Sequence, residues 1–378
     1  MTKAILTISF VLGSVLLIFV TLFIWPDLTP PMISPIFQII TQEEDRKARP
    51  LETLGWIPYW DQKKALETVF TNPQKFNFIS LFWYGLTFEG KIVTYKGVKE
   101  DLEIFNFARQ NNIKVLAVLA NLIEEEGDEW DPRRVDIVIS DPEKMKNHID
   151  EIILKIEEFG FDGVNIDYEA LRKPQRENFT LFISELADEL HKRGKVLGVA
   201  IHPKTSENNP KEDNGSHAQD WFEISKSADQ MYFMTYGEHS QETEPGPIAS
   251  VSWIGKIVSY AKKLDIPSEK IFLGVGLYGL EWQKENGHFE STHADTDELL
   301  FKEIEKIVSD SKEDISWDSG KKAPYLRYKT QEKEHIVWFE NERSVFEKVE
   351  FAKKNRLGGV AFWRLGGEDP QIFPKLTK

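Results

Sequence analysis

Eight consecutive residues, Asp162-Gly163-Val164-Asn165-Ile166-Asp167-Tyr168-Glu169, set three polar side chains at alternate positions of a short apolar run. In an extended strand successive side chains point to opposite faces, so Asn165, Asp167 and Glu169 share one face and Val164 and Ile166 the other. Two carboxyl groups this close cannot both be buried and ionised cheaply; one must be protonated or hydrogen-bonded. A pair whose environments separate its pKa values can supply a general acid and a group that stabilises developing charge. The plain alternative is a solvated strand end carrying incidental acids. Asp162 falls out of phase with the other three and is read as structural.

Such groups need a rigid frame. Short apolar runs at residues 54–58, 78–82, 114–119, 163–167, 196–201, 230–234, 271–276 and 359–363 read as strands, with the acidic run ending the fourth. Between them lie amphipathic segments. Met145, Ile149, Ile152, Ile153 and Ile156 recur at three- and four-residue intervals, as do Phe179, Phe182, Ile183, Leu186 and Leu190. Strands alternating with helices imply parallel pairing, and eight such units imply a closed barrel. The expected fold class is therefore α/β, a (β/α)8 TIM barrel over residues 50–378, with a doubly wound open sheet as the alternative. The interval between the seventh and eighth strands is far longer than the others, which predicts an inserted subdomain at about residues 281–337. In a barrel the face bearing Asn165, Asp167 and Glu169 enters the interior at the C-terminal end of a strand, where barrel enzymes keep their active sites.

The run from Asp162 to Glu169 resembles the DxxDxDxE motif of family 18 glycoside hydrolases. Further stretches resemble that family in barrel order: Gly55-Trp56-Ile57-Pro58-Tyr59-Trp60, Met234-Thr235-Tyr236, Gly274-Val275-Gly276-Leu277-Tyr278-Gly279 and Gly359-Val360-Ala361-Phe362-Trp363. The bacterial branch containing the spore-cortex and spore-germination N-acetylglucosaminidases is similar also in Gly246-Pro247-Ile248-Ala249-Ser250 and in the stretch from Trp363 to Pro370. The resemblance implies substrate-assisted retaining hydrolysis of a β-linked N-acetylglucosamine-containing polysaccharide, peptidoglycan or chitin-like, with no enzyme nucleophile. Carried onto matching positions, Glu169 is the implied acid and base, and Asp167 orients the 2-acetamido group. Tyr236 donates a hydrogen bond to the acetamido oxygen, and Trp363 floors the sugar pocket with Tyr278 beside it. Asn165 supports Asp167, and Met234 joins the implied substrate-binding set. The sequence departs from the family at Asn165, where many chitinases carry Asp, and at Gly237, where Asp is usual; either Glu238 compensates there or the pocket differs.

Composition narrows the partners. The 378 residues carry a formal net charge of −15, which argues against nucleic acid, whose phosphates need a basic face, and offers no polybasic patch to an anionic lipid surface. With no cysteine, disulfides, thiolate nucleophiles and cysteine-based zinc sites are excluded. No cofactor or metal is expected, and the chain is expected to act as a monomer. From Ala4 to Trp25 run 22 uncharged residues, 17 of them Ala, Val, Ile, Leu, Phe or Trp. As a helix this spans about 33 Å, enough to cross a hydrocarbon core of about 30 Å. Residues 1–25 are therefore read as one N-terminal transmembrane helix, or a cleaved signal segment, and 26–49 as a Pro-containing linker. The expected location is the cell membrane, single-pass, with the barrel outside the cytoplasm.

Other signals carry less. Gly274-x-Gly276-x-x-Gly279 matches a dinucleotide fingerprint, but no helical periodicity follows. His202, His217, His239, His288 and His293 show no metal-ligand spacing and read as surface or hydrogen-bonding groups. Glu124, Glu125 and Glu126 read as a solvated loop, and Asn178 and Asn214 match glycosylation acceptors only by pattern. Trp56, Trp60, Trp83, Trp253 and Trp282 are sugar platforms or core, with Trp60 and Trp83 favoured as platforms because they end strands. Two non-hydrolytic readings compete: a catalytically inactive chitinase-like lectin, and an interaction scaffold using the insertion.

Overall fold

The computed structural model describes residues 49–123, 129–207, 209, 215–285, 287–292, 298–330 and 333–377. The expected membrane helix, the linker up to Ala48, Glu124 to Glu126, Asn214 and His293 lie outside them. Among the described residues no helix is long and apolar enough to cross a membrane.

Eight strands run in parallel: β1 (Glu52–Pro58), β2 (Phe78–Leu86), β3 (Lys114–Ala120), β4 (Gly163–Asp167), β5 (Val196–Ile201), β6 (Gln230–Phe233), β7 (Ile271–Gly276) and β8 (Gly359–Trp363). Each pairs with its neighbours in sequence, and β1 pairs with both β2 and β8, so the sheet closes into a barrel and the open-sheet alternative fails. The outer layer includes α1 (Gln62–Thr71), α2 (Glu103–Gln110), α3 (Pro142–Phe159), α4 (Arg176–His191), α5 (Trp221–Ser227), α6 (Val251–Lys263) and α7 (Glu342–Lys354).

The helices form where the sequence supplies start, stripe and stop. In α3, Asp141 caps the first turn by accepting from Glu143 N and Lys144 N, and Pro142 opens the helix. Met145, His148, Ile149, Ile152, Ile153 and Ile156 form its buried stripe, and Gly160 ends it in the left-handed region at φ +73°. Burying an aliphatic side chain of this size contributes on the order of 1.5–3 kcal/mol. The stripe packs into a large core between sheet and helices that includes Val164 and Ile166. A second cluster fills the barrel interior, with Leu54, Trp56, Phe78, Phe82, Leu116, Val118, Tyr232 and Phe272 among its members. Strand pleating thus sorts alternate residues of β4 between the two sides.

Between β7 and β8 the chain builds a five-stranded antiparallel sheet from Gly279–Glu285, His288–Ser291, Ser316–Asp318, Ala323–Thr330 and Lys333–Phe339, with helix Phe301–Ser311 in the same insertion. The subdomain begins and ends about two residues outside the expected 281–337. Trp282 lies in its core rather than in a sugar site, its Nε1 donating to Thr243 O at 2.9 Å. A buried ion pair, Lys348 Nζ to Glu340 Oε2 at 2.6 Å, joins α7 to the residue that follows the last strand of the insertion. Glu340 N also donates to Tyr278 O at 3.1 Å.

Candidate active site

Asp167 ends β4, and Glu169 stands two residues on, at the C-terminal mouth of the barrel. The strand end is held by two sets of hydrogen bonds. Outside, His148 Nδ1 donates to Gly90 O at 2.7 Å, because a carbonyl can only accept, which leaves Nε2 to accept from the Tyr168 hydroxyl at 2.6 Å. Burial pushes His148 down to about 4, so this ring stays neutral and keeps that tautomer. From the neighbouring strand, Asn121 just past β3 accepts from Glu169 N at 2.8 Å and donates to Glu169 O at 3.0 Å. Asp162 accepts from Val115 N at 2.8 Å, the structural role its phase suggests.

Asn165 is fully buried, and its Oδ1 accepts from Trp56 Nε1 at 2.8 Å and Ser80 Oγ at 3.3 Å. Those two donors come from β1 and β2, so the amide ties three strands together. An amide here adds no third negative charge beneath Asp167 and Glu169. Asp167 is buried, and its Oδ1 has no hydrogen-bond partner among the described residues. Burial pushes its carboxyl up to about 7. Glu169 is raised too, first by burial and then by the charge of Asp167. Burial and mutual repulsion thus disfavour ionising both carboxyls together, as a general acid beside a carboxylate requires. The solvated-strand-end alternative does not fit Asp167, which is buried, although Glu169 is only half-buried.

Tyr236 follows β6, with Thr235 anchored by its hydroxyl to Gly274 O at 2.7 Å. Burial, then the charges of Asp167 and Glu169, hold the Tyr236 hydroxyl in its protonated form, which leaves it a donor. Tyr278 donates from its hydroxyl to Tyr236 O at 2.8 Å. The glycines between them are required by space. A Cβ on Gly274 would fall 2.9 Å from Tyr236 Cε1, and one on Gly276 would fall 2.7 Å from Tyr278 Cε1. Gly274 and Gly276 thus clear room for two tyrosine rings, and Gly279 opens strand Gly279–Glu285 rather than a phosphate-binding helix. Met234 is buried just past β6, its amide donating to Ile201 O at 2.9 Å.

Trp363 ends β8 half-buried, edge-on to Trp56, Phe82 and Trp60 at centroid distances of 6.0, 6.1 and 6.3 Å. Trp60 is 49% exposed, an aromatic face open at the rim. Glu298 of the insertion accepts from Trp363 Nε1 at 3.1 Å and approaches Arg364 at 3.5 Å, while Arg364 pairs with Asp61 at 3.3 Å. A cavity of about 440 Å3 opens beside Tyr236 and Tyr278, lined also by His239, Gln241, Leu280 and Glu298. A second, of about 540 Å3, lies on the outer wall among residues of α4 and α5, and none of the predicted site residues lines it.

Two expectations are corrected by the structure. Trp83 is no platform: it is fully buried in the core outside the barrel, its Nε1 donating to Gln62 Oε1 at 2.5 Å. Glu238 does not stand in for the family's Asp at 237, because its carboxylate accepts from Ser250 Oγ at 3.0 Å and from Ser250 N at the start of α6. Of the two readings given to His202, surface or hydrogen-bonding, burial removes the first, and its Nε2 lies 3.6 Å from Glu169 Oε2. His202, Asn121 and Glu298 went unselected by sequence reasoning because each is a lone polar residue without periodic or motif context.

The profile of Glycosyl hydrolases family 18 matches residues 55–368. An uncharacterized glycosylase of Bacillus subtilis is 27% identical over 273 residues, covering 72% of this chain and 76% of its own length. The cortical fragment-lytic enzyme of the same organism is 26% identical over 275 residues, 72% of this chain and 61% of that protein. The chain thus spans about three fifths to three quarters of the length of these two relatives. The crystal structure of the Bacillus cereus spore cortex-lytic enzyme superposes with a TM-score of 0.74 at 21% identity, covering 86% of this chain and 73% of that one, a likeness of fold.

Proposed function

We propose, from the premise that this chain belongs to glycosyl hydrolase family 18 and is a glycosidase, that it cleaves peptidoglycan glycan beside N-acetylglucosamine by substrate-assisted retaining catalysis. The observation that carries this reading is the placement of Asp167, buried with an unpartnered Oδ1, beside the half-buried Glu169 at the end of β4, with both carboxyls raised. Glu169 gives its proton to the glycosidic oxygen as the carbonyl oxygen of the substrate's 2-acetamido group attacks the anomeric carbon and the leaving sugar departs. The oxazolinium ion so formed is balanced by the Asp167 carboxylate, which accepts from the acetamido N–H through Oδ1, the atom left without a partner. Tyr236 donates to the acetamido oxygen. Glu169, now ionised, takes a proton from the water that opens the ring, so the β-anomer forms and the acid is restored. Trp363 supplies the apolar floor, with Trp60 as the outer platform.

Peptidoglycan is favoured over chitin because the relatives include a cortical fragment-lytic enzyme. We further propose that residues 4–25 tether the barrel to the outer side of the cell membrane, on the strength of 22 uncharged residues in a row. The test is to incubate the full chain with purified peptidoglycan and with N-acetylglucosamine oligomers, following the anomer first formed by NMR. β-Anomer first, with peptidoglycan the better substrate, supports the reading. Saturable sugar binding without product would sink it and leave a lectin, and α-anomer first would sink the mechanism. Recovery of the intact chain in the soluble fraction after gentle lysis would contradict the tether.

A further inference from the structure

His202 lies beside Glu169 and has no part in the mechanism above. It follows β5 directly, is buried, and brings Nε2 to 3.6 Å from Glu169 Oε2. That nitrogen has no hydrogen-bond partner among the described residues.

The frame around the imidazole is built from other buried polar groups. Gln219 accepts from His202 N at 2.8 Å and donates to Ala200 O at 3.0 Å, fixing the chain on both sides of Ile201. Lys204, fully buried, holds the same segment by donating to Ser216 O at 3.0 Å and Gln219 O at 2.7 Å, and it pairs with Glu207 at 3.0 Å. Gly215, at φ +115°, lies against the ring edge, where a Cβ would fall 2.7 Å from His202 Cδ2 and Nε2. The same Cβ would be 3.3 Å from Ala170 N, so this glycine packs against both His202 and the residue after Glu169.

We propose that His202 is a positioning residue for the catalytic acid: its neutral imidazole donates an Nε2–H hydrogen bond to Glu169 Oε2 and keeps the transferable proton on Oε1. The proposal rests on the glycosidase reading. Burial pushes His202 down to about 4, so the ring is uncharged near neutral pH and carries one proton. With that proton on Nε2, Oε2 can only accept, and the acid proton is left on the other oxygen. The opposite tautomer would draw the acid proton to Oε2, toward the protein. At 3.6 Å the contact is longer than a hydrogen bond, and it needs to shorten by less than 1 Å as the site closes on substrate. After proton transfer the same N–H stabilises the carboxylate that activates water. The titratable groups facing Glu169 are Asp167 on β4, Tyr236 beyond β6 and His202 beyond β5, while Lys204 is turned to Glu207.

Donation to the carboxylate lowers the pKa of Glu169, so removing it should move the basic limb of kcat/KM upward. His202→Leu should raise that limb by about one pH unit and cut kcat roughly 10- to 100-fold with KM little changed. His202→Gln, which keeps an N–H donor, should recover most of both. An aryl N-acetylglucosaminide, whose leaving group needs no proton, should lose less than a glycan. Equal losses for Leu and Gln on both substrates, with an unmoved basic limb, would overturn the proposal. Nitrogen-15 NMR of histidine-labelled wild type reads the tautomer without any substitution. An Nε2–H ring that stays neutral down to about pH 5 supports the proposal, and a bare Nε2 lone pair overturns it. A wild type that hydrolyses nothing, yet shows Nε2–H and a His202 signal moved by Glu169→Gln, supports the contact while overturning the glycosidase reading.

Discussion

Replacing Asp167 with Asn removes one charge from the pair while leaving its burial in place, and the response of Glu169 can be worked out beforehand. Residues two apart on a strand lie about 6.6 Å apart along it. Two unit charges at that distance repel by about 2.5 kcal/mol at an effective dielectric of about 20, which is about 1.8 pH units. Burial is the larger cause of the raised Glu169 pKa and the Asp167 charge the second, so the substitution removes only the second. The basic limb of kcat/KM for N-acetylglucosamine oligomers should therefore fall by 1–2 pH units, while the rate at the optimum drops roughly 100- to 1,000-fold for want of the charge that balances the oxazolinium. Stability should move the other way with pH. An Asp167 carboxyl held at about 7 in the fold, against about 3.9 unfolded, binds more protons folded than unfolded between those values, so it stabilises at low pH and loses that contribution as pH rises toward 7. Asp167→Asn should raise Tm relative to wild type at pH 8 and leave little difference near pH 4. A residual activity whose basic limb stays in place or moves up would refute the picture of one proton shared by two repelling carboxyls.

Lys348→Met strands Glu340 as a buried, uncompensated acid and should cost about 3–5 kcal/mol, read as a lowered denaturation midpoint. Adding Glu340→Leu should restore most of it, and a lone Lys348→Met without loss would show that the pair is not buried as described. Trp363→Ala removes the floor and should reduce kcat/KM at least 100-fold, in line with loss of a central aromatic anchor; a change under tenfold would place the sugar elsewhere. Trp83→Phe should alter oligosaccharide affinity less than twofold in a binding titration, since the ring lies outside the barrel, and a larger loss would reinstate it as a platform.

The frame was readable because periodicity and chemistry agree. All eight barrel strands were expected within a few residues of their ends, since apolar runs of β-branched and aromatic residues alternate with helical stripes such as that of α3. The inward phase of Asn165, Asp167 and Glu169 followed from the pleat alone. The same pleat argues against Trp83, which is out of phase with the inward-facing Phe78, Ser80 and Phe82, and favouring it for its place at a strand end ignored that phase. The register of β2 against β3 also slips between Phe82 and Tyr84, which leaves Tyr84 and Leu86 facing outward as well. His202, Asn121 and Glu298 were beyond reach, because each acts through a partner 33, 48 or 65 residues away in sequence. Only closure of the barrel and the fold of the insertion bring such pairs together.

The most direct test of the central claim compares the wild type with Glu169→Gln on purified peptidoglycan, reading new reducing ends under conditions where both bind. The half-buried acid beside a buried carboxylate predicts hydrolysis by the wild type and a loss of several orders of magnitude in the variant, with sugar affinity and Tm retained. Equal rates in the two proteins would contradict it, for then the proton that cleaves the bond would not come from Glu169.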